Sequence, residues 1–223
     1  MARLPPVRAL TDLILPFECG GCGRPGTRWC AACAAELTDC PVRLHPRVDP
    51  RVPVWALGPY SGPRRQAVVA AKERGRRDLC EPLGAALAGA LGVLGGWAEL
   101  PEAPLVLVPA PTRARAARRR GGDPVRRMAE AAVGRARVCP ALVVRRGVRD
   151  SVGLTAAQRQ ANLSGRVRLT RAGTNLSTYC RAREHAAIVV DDVLTTGTTA
   201  AESVRTLGRF GVQVAAVLVV AGV

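Results

Sequence analysis

Apolar residues in this chain fall into short aliphatic runs that alternate with stretches of helical spacing. The runs at residues 54–57, 105–108, 141–144 and 187–190, with a longer one at 212–220, have strand length, and most meet proline, glycine or a charged residue at their ends. Between them, residues 66–72, 83–93, 126–137 and 200–210 carry apolar positions three and four apart, which predicts helices, the first two separated by Gly75 and Pro82. In the last helix Val204, Leu207 and Phe210 share a face, and Gly211 closes it. Near-continuous apolar strands suit burial on both sides. The alternation therefore predicts an α/β domain built on a mainly parallel sheet with helices on both faces. No internal repeat interrupts it.

The run at 187–190 delivers Asp191 and Asp192 at its carboxyl end, the place where ligands of open α/β sheets bind. Thr195, Thr196, Gly197, Thr198 and Thr199 follow, offering four hydroxyls and closely spaced backbone N–H groups just ahead of a helix. Gly197 permits a tight turn, and a helix amino terminus presents unpaired N–H groups and a positive dipole end. That combination is a natural phosphate cradle, and the neighbouring carboxylates suit sugar hydroxyls. A plain strand-to-helix turn with capping threonines is the bland alternative.

Four of the eight cysteines form two pairs, Cys19-x-x-Cys22 and Cys30-x-x-Cys33, seven residues apart. Such spacing lets four thiolates converge tetrahedrally, for which Zn²⁺ is the best fit. A redox Cys-x-x-Cys or an iron–sulfur cluster is the alternative. With few apolar residues around it, this module is expected to need its metal to fold, and a site filled by four protein ligands is structural. Cys40, Cys80, Cys139 and Cys180 lack paired spacing and are expected to be small core or surface residues. The expected organisation is residues 1–40 for the amino-terminal segment with the zinc module, 41–53 for a linker punctuated by Pro41, Pro46, Pro50 and Pro53, and 54–223 for the main domain.

Charge and composition narrow the picture only partly. The chain has 33 Lys and Arg against 17 Asp and Glu, a formal net charge of +16, compatible with a nucleic-acid partner, an anionic small molecule or a solvated arginine surface. Lys72 is its sole lysine, a bias that weakens any reading of each arginine as individually placed. Aromatics are 3% of residues, so aliphatic packing carries the core and a base-stacking platform is missing. The apolar stretch 83–97 is glycine-rich and short for a membrane span, and residues 1–17 lack a signal-peptide cleavage pattern. No membrane insertion and a cytoplasmic location with reduced cysteines are expected.

The stretch from Asp191 to Thr199 resembles the phosphoribosyl pyrophosphate (PRPP) signature of type I phosphoribosyltransferases. With a four-cysteine module ahead of it, the chain from about Cys19 to the carboxyl terminus resembles the ComF family, known for proteins needed in competence for DNA uptake. Further matches are Tyr60-Ser61-Gly62 followed by Lys72, Val108-Pro109-Ala110-Pro111, Arg118-Arg119-Arg120-Gly121, and the stretch from Asp150 to Leu154 with Arg159 and Asn162. After Gly121 the chain departs from the family's Phe-Asn-Gln, having Gly122-Asp123-Pro124.

The resemblance implies that Asp191 and Asp192, the catalytic acids, hold the ribose hydroxyls and that Thr195, Thr196, Gly197, Thr198 and Thr199 hold the 5′-phosphate. It places Lys72, Pro109, Ala110, Arg120 and Arg159 toward pyrophosphate or a mobile flap, with backbone N–H groups exposed at the Pro109–Ala110 turn, and it implies Mg²⁺ bound with PRPP. The function expected is phosphoribosyl transfer to or from an unidentified base or amine. The alternatives are a non-catalytic PRPP or nucleotide sensor and an accessory factor in transformation that binds single-stranded DNA or a partner. A nucleic acid, a competence-machinery partner and a homo-oligomer stay open as partners. No general base is apparent, and His45 and His185 are expected to be incidental.

Overall fold

The computed structural model describes residues 17–112, 122–145, 165–182 and 184–223. Along the chain the elements are α1 (Ala31–Leu37), β1 (Val42–Leu44), β2 (Val54–Ala56), α2 (Gly62–Glu73), α3 (Cys80–Gly96), β3 (Leu105–Pro109), α4 (Pro124–Val133), β4 (Leu142–Val144), β5 (Val167–Leu169), α5 (Arg171–Thr174), α6 (Leu176–Ala182), β6 (Ala186–Leu194), α7 (Thr198–Arg209) and β7 (Val214–Gly222). Single 3₁₀ turns precede α3 at Arg77–Leu79 and follow α4 at Arg135–Arg137.

The central sheet runs β1-β2-β7-β6-β3. Its last four strands are parallel, and β1 is an antiparallel edge strand on β2. Strand β6 shows why the sheet is covered on both sides. Ile188 and Val190 pack into a core with α2, α3 and α4, whereas Ala187 and Val189 face a second core with α7 and Leu176 of α6. All four are fully buried. Burying an aliphatic side chain of valine or isoleucine size contributes about 1.5–3 kcal/mol, so these two cores dominate the stability of the domain.

Several elements differ from the sequence expectation for identifiable reasons. The run at 141–144 does not join the main sheet; as β4 it pairs antiparallel with β5, and only Val138 ahead of it makes a bridge to Leu107. Periodicity reports that a run is extended and says nothing of its partner. The stretch read as a linker contains the edge strand β1, with prolines bracketing the strand rather than sitting in it. Pro82 does not separate two helices. It lies in the first turn of α3, where a missing N–H costs nothing, and the break falls at Gly75, whose φ is +67°. Helix α4 stops at Val133 because Gly134 takes a φ of +79°. Strand β6 continues through both acids to Leu194, held by pairing of Asp191 with Val219 and Leu194 with Gly222.

The stretch Arg77–Gly96 is, by length and composition, apolar enough to cross a membrane, with a mean hydropathy of 1.4, which differs from the expectation for this region. Half of that window is buried, and Leu83, Leu87, Leu91 and Leu94 of α3 pack into the sheet's core. A core helix has the same composition.

Two arginines, one in α2 and one just beyond it, fasten the cysteine-rich segment to the main domain. The Arg64 guanidinium, 4% exposed, donates to the Glu36 carbonyl, the Glu36 carboxylate (3.3 Å) and the Asp39 carboxylate (2.7 Å). Arg76 donates to the carbonyls of Glu18 (3.0 Å) and Arg28 (3.2 Å) while bound to Asp78.

Candidate functional site

The site grows from the junction of β6 and α7. Gly197 is the amino-terminal cap of α7 in the left-handed conformation, φ +84°, which a residue with a Cβ adopts only with strain. Around it Thr195 is exposed, Thr196 and Thr199 are half-buried, and Thr198 is buried. The Thr196 and Thr198 hydroxyls bond each other at 2.9 Å. Asp191 lines the same hollow as Thr195 to Thr199, and so does Ala110 from the turn after β3. The structure thus brings the acid, the threonine loop and the Pro109–Ala110 turn together at the carboxyl ends of adjacent parallel strands. The Ala110 N–H is not presented to a ligand: it donates to the Val190 carbonyl at 2.7 Å, extending the β3–β6 pairing.

The two acids have different surroundings. Asp191 accepts the Asp192 N–H at 2.8 Å. Burial, and after it the Asp192 charge, push its carboxyl up to about 8, against the opposing pull of the Lys72 charge and that N–H, although the residue keeps a partly exposed edge. Asp192 is buried and pairs with Lys72, whose Nζ lies 2.8 Å from one carboxylate oxygen and 3.1 Å from the other. The sole lysine of the chain therefore meets the second acid of the motif. Asp192 also accepts the Val193 N–H at 2.8 Å.

A third carboxylate was not evident from sequence. Asp123 caps α4, accepting the Val125 N–H at 3.0 Å, and its carboxyl is raised mainly by burial, with a further contribution from Asp192. The signal available was Asp directly before Pro, a frequent helix start.

The four cysteines of the amino-terminal segment converge, their sulfurs all within 4.8 Å of one another. Cys19 Sγ lies 3.7 Å from Cys33 Sγ, and Cys22 Sγ lies 3.6 Å from Cys30 Sγ. Tetrahedral coordination with bonds near 2.3 Å places sulfurs about 3.8 Å apart, so the donor set fits a zinc ion in both chemistry and spacing. Burial alone would raise the Cys19 thiol, but backbone N–H groups around Cys22, Gly21 and Cys30 bring it down to about 6; burial drives Cys33 upward. Gly21 has no room for a side chain, since a Cβ there would sit 2.7 Å from Cys33 Sγ. Among the other cysteines, Cys80 is buried, Cys139 and Cys180 are half-buried, and Cys40 is exposed.

Arg120, Arg159 and the stretch from Asp150 to Leu154 lie outside the described residues. The chain matches no protein-family model, and no curated protein matches it. Fold and site together define a mixed α/β protein with a mostly parallel sheet, an acid-bearing strand running into a threonine loop, and a four-cysteine cluster suited to a metal ion such as zinc.

Proposed function

We propose that this chain is a PRPP-binding protein of the type I phosphoribosyltransferase class with ComF-like architecture, using PRPP and a nitrogenous acceptor. One observation carries the reading: Asp191 and the loop Thr195 to Thr199 line one hollow where β6 ends and α7 begins. Helix amino termini and a glycine-centred loop favour a phosphate, and a carboxylate at strand-end distance favours sugar hydroxyls. The phosphate sits at the mouth of this hollow, against Thr195, Thr196 and Thr199, with the Thr196–Thr198 hydroxyl bond exchanged for bonds to the ligand.

In this reading Asp191, protonated near neutral pH, and Asp192 orient the ribose through its hydroxyls, and the Asp192 charge favours positive charge developing at the anomeric carbon, while Lys72 stands beside them for the pyrophosphate. Bound Mg²⁺ would supply neutralisation of pyrophosphate charge, and Asp191 and Asp192 are the residues that would hold it. Zinc on Cys19, Cys22, Cys30 and Cys33 is structural. Cytoplasmic residence, a link to DNA uptake and the open partners belong to the same proposal.

Calorimetry of the zinc-loaded protein with PRPP and Mg²⁺, followed by pyrophosphate release across a panel of bases and amines, tests it. Saturable binding and turnover, both lost in D191N/D192N, are expected. Absence of PRPP binding overturns the reading. The Ala110 N–H bonded within the sheet favours a second reading, a sensor that holds PRPP without turning it over; binding without product across the panel would select it.

A further inference from the structure

Residues 46–48, in the stretch read from sequence as a linker, lie flush against the threonine loop. The Val48 N–H donates to the Thr196 carbonyl at 2.9 Å. On the same side a Cβ at Gly197 would strike the Val48 carbonyl oxygen and lie 2.6 Å from Pro46 Cβ. The segment is held on both sides of this contact. Leu44 of β1 packs against Gly222 at the end of β7, and the Pro53 carbonyl accepts the Val217 N–H at 2.9 Å. Pro46, Pro50 and Pro53 further limit its backbone freedom.

The consequence is local and electrostatic. The Thr196 carbonyl and the Gly197 N–H belong to one planar trans peptide, so they point in opposite directions. With its carbonyl pinned on the strap, that peptide aims the Gly197 N–H away from residues 46–48. Resting on the reading that Thr195 to Thr199 hold a phosphate, we propose that Val48 is a positioning residue: it fixes the Thr196–Gly197 peptide so that the Gly197 N–H faces the phosphate ester. The strap braces the phosphate loop from behind, and Gly197 is required because both its φ and the strap exclude a side chain.

The test compares wild type, Val48→Pro, which lacks the N–H, and Val48→Ala, which keeps it. Each zinc-loaded protein is titrated with PRPP, ribose 5-phosphate and pyrophosphate in the presence of Mg²⁺. Val48→Pro is expected to bind PRPP and ribose 5-phosphate about tenfold more weakly, the effect of one misdirected hydrogen bond to a charged group, with pyrophosphate affinity unchanged. Val48→Ala stays close to wild type. Should Val48→Pro fail to fold, Pro46→Gly/Pro50→Gly, which loosens the strap and keeps every N–H, is expected to show the same selective loss at about threefold. Equal ribose 5-phosphate affinity in wild type and the strap variants overturns the inference alone, as does a parallel loss of all three ligands, which marks a merely structural role. A wild type that binds neither phosphate ester overturns the phosphate reading and the inference with it.

Discussion

Replacing Lys72 with methionine isolates the most buried charge pair of the site. Lys72 Nζ spans both oxygens of Asp192 at 2.8 and 3.1 Å; the Asp192 side chain is 8% exposed and that of Lys72 38%. Breaking a fully buried pair by removing one partner costs about 3–5 kcal/mol, whereas an exposed pair is worth about 0–1 kcal/mol. This pair lies between, because only the acid is buried and because Asp192 keeps the Val193 N–H as a partner when the lysine is gone. A loss of about 2 kcal/mol follows, in the range for a hydrogen bond to a charged group. For a chain of this size that lowers the unfolding midpoint by about 4–8 °C. Thermal and urea unfolding of zinc-loaded K72M, D192N and K72M/D192N complete a double-mutant cycle. The double variant has neither charge to strand in the interior, so it should be less destabilised than the sum of the single variants by about 1 kcal/mol or more. A K72M midpoint indistinguishable from wild type, or strictly additive single effects, refutes the reasoning.

Two further expectations concern protons and metal. Asp191 carries a carboxyl raised to about 8 in the folded chain, against about 4 when unfolded, so between those values the folded state holds the extra proton. Its contribution therefore makes wild-type stability fall as pH rises from about 4 to 8 and level off above. D191N has no such proton, so it should gain on wild type across that window; a pH-independent difference in urea unfolding between the two refutes the assignment. Removing the metal with a strong chelator should release about one zinc per chain, expose amides in residues 17–40 to hydrogen exchange, and red-shift the emission of Trp29, which packs on the cysteine cluster. Unchanged exchange in that segment after metal removal would count against a structural metal.

Much of the local architecture was legible because its signals are local. The aliphatic run at 187–190 and the spacing of Val204, Leu207 and Phe210 marked the β6–loop–α7 unit to within a few residues, and Cys19, Cys22, Cys30 and Cys33 declared their convergence by spacing. Short elements escaped: α1, β1, β5, α5 and α6 have three to seven residues each, and where β2 and β4 are apolar throughout, Arg43 and Arg168 break the runs of β1 and β5. The end of β6 was placed early because the acids look like a strand stop, whereas pairing with β7 carries the strand past them.

Sequence alone determined which residues each motif gathers locally, since the threonine loop with its glycine cap spans five residues and the paired cysteines meet within 14 positions of one another. Only the tertiary structure decided which of them meet. Lys72 reaches Asp192 across 120 positions, Arg64 and Arg76 grip the cysteine segment, and Pro46 and Val48 press on Thr196 and Gly197. Those contacts follow from strand order and from the packing of two cores on a sheet, quantities that no local hydrophobic pattern encodes.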